Sequence, residues 1–218
     1  MNEIEKKEEI LEEAFAQFSE RGIGETKIDD IAAALKVSKK TIYAHFKSKI
    51  ELLEEACRWK LTVISSKAQK VVETDTCIIS KFIMYLEIIV NDVNDISVKM
   101  TNGVLEDRER LMKIVNDYLK GAVYERFSFL MEQGKSEGKI NIATDPAASL
   151  IIYWETLSTF LFARPDRHIP EEFRIKKPIY QLFGDQMVNF FRGLLNEEGI
   201  RDFDNRLSNH PRLNQLFG

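Results

Sequence analysis

The sequence predicts an all-α fold, and two observations carry this prediction. Apolar residues recur at i, i+3 and i+4 through most of the 218-residue chain, the spacing that places them on one face of a helix. Stretches that alternate apolar and polar residues are few, and the chain holds only five prolines and ten glycines. The length allows one domain, or a small domain joined to a larger one.

The charge balance excludes a protein that is basic throughout. Lysine and arginine total 31 against 35 acidic residues, which gives a net charge of −4. The whole chain therefore gives no electrostatic case for binding nucleic acid or an anionic membrane, and any basic site has to be local.

Cysteine usage and the apolar segments indicate a cytoplasmic protein. Cys57 and Cys77 are too few for a disulfide scaffold and lack metal-ligand spacing, so we expect neither a metal nor a cofactor. The glutamate-rich start is unlike a secretory signal. Lys81 and Glu87 interrupt the most apolar segment, residues 77–93, which is too short to span a bilayer.

The first quarter of the chain predicts three helices in succession. Helical apolar spacing predicts the first over residues 4–18, and Gly22 can turn left-handed and end it. Thr26, with Asp29 three residues later, predicts the capped start of a second helix over 27–35. Ser38 is a good cap for a third helix that ends near residue 46, and Ser48 for a long fourth one.

The second and third of these helices, joined by a tight turn, predict a helix-turn-helix unit. In such a unit the second helix enters the major groove of DNA while the first crosses the backbone. Residues 36–49 hold five lysines and no acid, whereas residues 1–13 hold six glutamates and two lysines. This is the local basic site that the overall charge requires.

The segment from Thr26 to Leu53 resembles the DNA-binding domain of the tetracycline-repressor-like (TetR) family of bacterial transcriptional regulators. The resemblance covers residues 5–60, and beyond them it extends only to the number, lengths and order of helices. The residues that carry it are Val37, Ser38, Thr41, Ile42, Tyr43, His45, Phe46, Ser48, Lys49, Leu52 and Leu53.

The resemblance implies a role for ten residues in DNA binding. Thr26 or Lys27 would bind a phosphate at the start of the second helix. Positions that match contacts to the sugar-phosphate backbone are Ser38, Thr41, His45 and Lys49. Positions that would look into the groove and choose the operator are Lys39, Lys40, Tyr43 and Ala44.

Two lysines stand where the family often has glycine. Lys36 lies in the turn, where a left-handed conformation would cost a non-glycine residue about 1 kcal/mol. Lys40 lies near the start of the recognition helix, where its side chain either reaches a base or phosphate or holds the backbone away from the groove.

From residue 49 onward we expect a helical effector-binding and dimerisation domain. We place the domains at residues 1–48, 49–198 and 199–218, the last being a short docked helix or a frayed tail. Asp145 and Pro146 are typical of a helix start. The further helices are predicted at residues 75–95, 103–137 (one helix or two), 145–163 and 176–197, with an irregular loop at 164–178.

Two sets of residues in this domain are candidates for binding. The broad apolar faces of the last two predicted helices suit a four-helix bundle between two subunits, or equally the core of one subunit. The interface candidates are Ala147, Ile151, Leu157, Leu161, Met187, Phe190, Phe191 and Leu194. By family likeness a small apolar effector binds in the same domain. Its candidate pocket residues are Phe82, Tyr85, Glu87, Met112, Asn116, Tyr124, Phe127, Trp154 and Glu155.

A dimer follows from the small size of the basic face. The logarithm of the binding constant falls with the logarithm of the salt concentration at a slope near −0.9 per phosphate contact. If one subunit neutralises about three phosphates, it loses about 40-fold in affinity between 50 and 200 mM salt, which is typical of a weak non-specific binder. Two subunits double the slope and select a roughly palindromic operator. The resemblance further implies that the dimer is a repressor and that the effector releases it from that operator.

Two other functions stay open at this stage, and an enzyme is not expected. No catalytic motif is present, and His45, His168 and His210 form no obvious pair, so we expect no enzyme and no catalytic residue. A helical interaction protein without DNA binding, or an activator in place of a repressor, would have the same helices.

Overall fold

The computed structural model describes residues 3–93, 105–158 except 142 and 144, residue 170, and 179–214. Helices dominate this part of the chain, which confirms the all-α prediction. The helices are α1 (Glu3–Arg21), α2 (Ile28–Ala34), α3 (Lys39–His45), α4 (Lys49–Glu73), α5 (Ile78–Ile88) with a π-helical turn (Ile89–Val93), α6 (Leu105–Ser136), α7 (Pro146–Ser158), α8 (Ile179–Leu194) and α9 (Glu197–Ser208).

The chain divides into two compact units. The N-terminal unit consists of Met1–Ser65 and Asp95–Tyr118, and the C-terminal unit of Ser66–Asn94 and Leu119–Gly218. Both α4 and α6 contribute residues to each unit.

The core of the N-terminal unit comes from one face of each of its helices. Phe18 of α1, Ile31 of α2, Ile42 of α3 and Leu52 of α4 are all buried in it. Gly22 ends α1 with a φ of 88°, a left-handed conformation in which glycine meets no steric penalty. Burial of these apolar faces stabilises α2 and α3, which have seven residues each and are too short to be stable alone.

The C-terminal unit is built around an aromatic stack. Phe82 of α5 stacks on Phe191 of α8 with ring centroids 4.5 Å apart, and Phe203 of α9 meets Phe191 edge-on at 6.5 Å. Aromatic pairs in these geometries add to the free energy that burial already supplies.

A buried polar network joins α5 to the end of α6. Lys81 is almost fully buried, and its ammonium donates to the backbone carbonyl of Val72 (2.7 Å) and to Gln133 Oε1 (2.8 Å). Gln133 donates in turn to Glu137, whose second carboxylate oxygen accepts the backbone N–H of Ile78. A charged group that is buried in this way requires such partners.

The C-terminal segment forms a docked helix, α9. Asn196 caps α9 by accepting the N–H of Gly199, and Phe203 is fully buried. A Cβ at Gly199 would lie 2.7 Å from the carbonyl oxygen of Lys139, so glycine permits the close approach. Of the two alternatives for residues 199–218, the described residues show the docked helix.

The predicted helices agree with the structure apart from their ends. The predicted segment 103–137 is one helix, α6, and not two. Segment 75–95 gives α5 and the π-helical turn, and 176–197 gives α8. Segment 145–163 gives α7 up to Ser158, while the loop predicted at 164–178 lies outside the described residues except for Pro170.

Of the described helices, none combines the length and the apolar character that crossing a membrane requires.

Candidate nucleic-acid interface

The turn between α2 and α3 has the hydrogen bonds of a Schellman motif. The N–H of Lys36 bonds to the carbonyl of Ala33 (3.1 Å), and that of Val37 to the carbonyl of Ala32 (2.9 Å). Lys36 takes the left-handed position with a φ of 54°, as predicted for this lysine. The turn therefore keeps the helix-turn-helix geometry at a steric cost of about 1 kcal/mol.

Ser38 caps the start of α3, as predicted. Its side-chain oxygen accepts the backbone N–H of Thr41 at 3.0 Å, and the two hydroxyls also lie within hydrogen-bond distance, at 2.8 Å. Both bonds are solvent-exposed, so the two hydroxyls are accessible at the start of the recognition helix.

The start of α2 differs from the prediction. Lys27, and not Thr26, is the residue before the helix, and it makes no side-chain cap. Thr26 is fully buried, and its hydroxyl donates to the carbonyls of Gln17 (3.0 Å) and Gly22 (2.8 Å). The capping prediction for Thr26 and Asp29 is therefore wrong, and the exposed Lys27 is the better placed of the two for a phosphate.

One side of α3 faces the core and the other faces solvent. Ile42 is buried within the helix, and Phe46, which follows it, is buried as well. Tyr43 is 44% exposed. The other exposed residues of α3 are Lys39, Lys40 and Ala44. The four predicted groove residues thus lie on the solvent-facing side of one short helix.

Two further predicted contact residues lie at the end of this helix and just beyond it. His45 is half-buried at the end of α3, with its ring 6.2 Å from that of Phe46. Lys49 begins α4, and its ammonium lies 3.5 Å from the carbonyl oxygen of Gly24. Ser48 caps α4 by accepting the N–H of Glu51, while Glu51 accepts the N–H of Lys47.

Two carboxylates of α2 each bind a basic side chain from another helix. Asp29 accepts a hydrogen bond from Lys39 of α3 at 2.8 Å, and Asp30 lies 3.3 Å from Arg21 of α1. The hydrogen bond to Asp29 raises the pKa of the Lys39 ammonium above its ordinary value. From the sequence, Asp29 is identifiable only as a capping acid, because nothing local to its helix points to Lys39.

The candidate pocket residues are divided between the two units. Met112 and Asn116 belong to the N-terminal unit, and the others belong to the C-terminal unit. There Phe82 and Phe127 are buried in the core, whereas Tyr124 and Glu155 are exposed. The Trp154 side chain lies outside the described residues.

Tyr85 and Glu87 both have defined polar contacts in the C-terminal unit. The Tyr85 hydroxyl donates to the carbonyl of Ala68 at 3.1 Å. Glu87 lies 3.1 Å from His210 Nε2. Among the described residues, no group of three or more His, Cys, Asp or Glu side chains is arranged to hold a metal ion.

The interface candidates fall into two groups. Met187, Phe191 and Leu194 of α8 are buried in the core of their own unit, and Phe190 packs against it. On α7, by contrast, Ala147 and Ile151 are exposed, as is the neighbouring Ile152. The Leu157 side chain and Leu161 lie outside the described residues. The core alternative thus applies to the three buried residues of α8.

Taken together, the turn, the caps and the exposed basic face define a helix-turn-helix domain of the kind that binds DNA. Residues 10–56 match the sequence model of the family described as bacterial regulatory proteins, tetR family. These residues are therefore similar to the N-terminal domain of TetR-family regulators.

Similarity to individual proteins covers a short segment of the chain in sequence and most of the chain in fold. The chain is 38% identical over 52 residues to the probable acrEF/envCD operon repressor of Escherichia coli, which covers 24% of each chain. A TetR-family regulator from Agrobacterium tumefaciens matches 89% of this chain and 100% of its own, with a TM-score of 0.63 and 13% identity. FadR of Bacillus subtilis in complex with stearoyl-CoA matches 85% of this chain and 98% of its own, with a TM-score of 0.54 and 16% identity.

These likenesses differ in what they show. The chain spans about a quarter of the length of the Escherichia coli repressor it matches. The structural matches share the fold across both units of this chain, at an identity that carries no argument about ligand or operator.

Proposed function

We propose that the protein is a transcriptional repressor that binds a palindromic operator as a homodimer and leaves it when a small apolar effector binds. The observation that carries the proposal is the solvent-facing side of α3, which presents two lysines, a tyrosine and an alanine beside the buried Ile42. A helix with this division can lie in a major groove while its other side stays packed.

The groove residues would choose the operator. Lysine donates to guanine O6 and N7, and tyrosine or alanine can press on a thymine methyl. We assign this role to Lys39, Lys40, Tyr43 and Ala44.

Five other residues in and beside α3 and α2 would hold the protein on the duplex. Contacts to phosphates fix register and orientation and carry little sequence information. We assign this role to Lys27, Ser38, Thr41, His45 and Lys49. Thr26 is not among them, because its buried hydroxyl already has two acceptors.

The homodimer would form through the exposed side of α7. α7 is an apolar helix, and two of its isoleucines are nevertheless exposed to solvent. Ile151 is 47% exposed and Ile152 is 66% exposed. Adjacent exposed isoleucines are costly in water and favourable in an interface. Two subunits are also what the small basic face requires for useful affinity.

The effector would bind in the C-terminal unit, which is the unit with the aromatic core. Stearoyl-CoA, the compound bound in the FadR complex of similar fold, is a convenient first probe, because the shared fold by itself selects no ligand class. A coupling of about 1 to 3 kcal/mol would lower operator affinity by about 5- to 150-fold. If stearoyl-CoA and free fatty acids leave operator affinity unchanged, this effector class is excluded.

Two substitutions test the assignment of the DNA-binding face. Lys49→Ala should weaken binding to every duplex and flatten the salt slope by about one unit per lost contact, because a phosphate contact is lost. Tyr43→Ala should relax preference at one operator position by about 1 to 3 kcal/mol. Both are measured by fluorescence anisotropy, with operators selected from a random library by the wild-type chain.

Lys70→Ala is the matched control, because it removes the same charge from an exposed position in the C-terminal unit. It should leave affinity and slope unchanged. If Lys49→Ala also leaves the affinity and the salt slope unchanged, and Tyr43→Ala leaves the operator preference unchanged, α3 is not the DNA-binding helix.

A further inference from the structure

Lys39, one of the proposed groove residues, is paired within the molecule by a residue of the preceding helix. Its ammonium lies 2.8 Å from the carboxylate of Asp29, which is the second residue of α2. Both side chains remain accessible, with 49% of the lysine and 63% of the aspartate exposed. The pair thus lies on the surface that the proposed function turns toward DNA.

The pair changes what Lys39 can contribute to binding. Non-specific affinity comes from lysine and arginine that neutralise phosphates and release counterions. A lysine that is already neutralised by Asp29 gains little by moving to a phosphate. Its ammonium has three donors, however, and the bond to Asp29 occupies one, so two remain for the O6 and N7 acceptors of a guanine.

We propose that Asp29 is a specificity-determining residue: it holds Lys39 as a base-reading donor and keeps it from adding to non-specific phosphate binding. This inference rests on the proposed function, because it assumes that α3 faces the major groove. Exposed ion pairs are weak, so Asp29 biases the side chain of Lys39 without locking it.

Asp29→Asn tests the proposal on the whole 218-residue chain. The change keeps the size of the side chain and removes the counter-charge, so Lys39 becomes free to neutralise a phosphate. On a duplex of random sequence, the salt slope should steepen by about 0.9 per subunit, or about 1.8 for a dimer. The affinity lost between 50 and 200 mM salt should then grow by about 12-fold. Affinity for the selected operator should rise less, so that the ratio of specific to non-specific affinity falls.

Two variants serve as controls. Asp30→Asn removes the same charge one position further along α2, where the partner is Arg21 and not a groove residue. It should change neither the slope nor the ratio. Asp29→Glu keeps a carboxylate within reach of Lys39 and should therefore retain the wild-type salt slope. A merely structural role of Asp29 would not require that slope to be retained.

The outcomes separate this inference from the proposed function. If the wild type binds its operator and Asp29→Asn has the wild-type slope and ratio, the role of Asp29 is refuted and the function stands. An equal effect of Asp29→Asn and Asp30→Asn also refutes it, because net charge then explains the change. If the wild type binds no duplex, both proposals fall.

Discussion

At the scale of single residues, the DNA-binding unit depends on a few side chains whose polar groups are fully used. The Thr26 hydroxyl joins the end of α1 to the segment before α2, since its acceptors are the carbonyls of Gln17 and Gly22. Ser38 and Ser48 each accept the N–H of a residue in the first turn of their helix. These bonds fix where the helices begin, and so where the exposed face of α3 lies.

Thr26→Val should lower the free energy of unfolding by about 1 to 3 kcal/mol, because two buried carbonyls lose a donor while the volume is nearly unchanged. Thr41→Val, the same change at a more exposed position of α3, should cost less than about 0.5 kcal/mol. Urea unfolding monitored by circular dichroism measures both.

The same pair of variants distinguishes a structural from a DNA-contacting role. The folded Thr26→Val protein should keep the wild-type salt slope, whereas Thr41→Val should weaken binding to every duplex. A fully stable Thr26→Val protein that binds DNA more weakly would show that Thr26 contacts a phosphate after all.

The cap residues could be predicted from the sequence because their partners lie within four positions along the chain. Ser38, Ser48 and Asp145 were identified in this way, and so was the left-handed Lys36. The partners of Thr26 and Asp29 could not be predicted, because they come from other helices and depend on how the helices pack.

At the scale of elements, α9 is the helix whose place depends most on a few contacts. Its fully buried Phe203 packs with Phe191 of α8. Arg206 donates to the hydroxyl of Ser80, which lies in the first turn of α5. Its sequence is polar with isolated apolar residues, so spacing alone left open whether it docks. The docking contacts come from residues that are distant in sequence.

Phe203→Ala should destabilise the C-terminal unit by about 3 to 5 kcal/mol, because it removes a fully buried aromatic side chain and leaves a cavity. Arg201→Ala, on the exposed side of the same helix, should stay within about 0.5 kcal/mol of the wild type. Hydrogen exchange of α9 amides, read by mass spectrometry, reports both. Equal protection in the two variants would mean that Phe203 does not hold the helix in place.

At the scale of the whole molecule, the sequence predicts apolar helix faces but not what covers them. The apolar residues of α7 and α8 were equally compatible with a core and with an interface. The structure uses Met187, Phe191 and Leu194 for the core and leaves Ile151 exposed. The packing of α8 against α5 and α9 decides whether an apolar face forms the core or an interface, and the spacing of apolar residues does not predict this packing.

Ile151→Asp should convert the proposed dimer into monomers, because two carboxylates would be buried near the twofold axis without partners. Ile4→Asp is the control, since Ile4 is 72% exposed on α1. Analytical ultracentrifugation at micromolar concentration reads the mass of each. An Ile151→Asp protein that remains dimeric would move the interface away from this side of α7.

The salt dependence of DNA binding by the wild-type 218-residue chain tests the central claim most directly. Two subunits that neutralise about three phosphates each predict that log K falls with log salt at a slope of about −5 on a palindromic operator selected from a random library. A slope near zero, or the absence of any selected duplex, would contradict the assignment of α3 and its flanking lysines as a DNA-binding face.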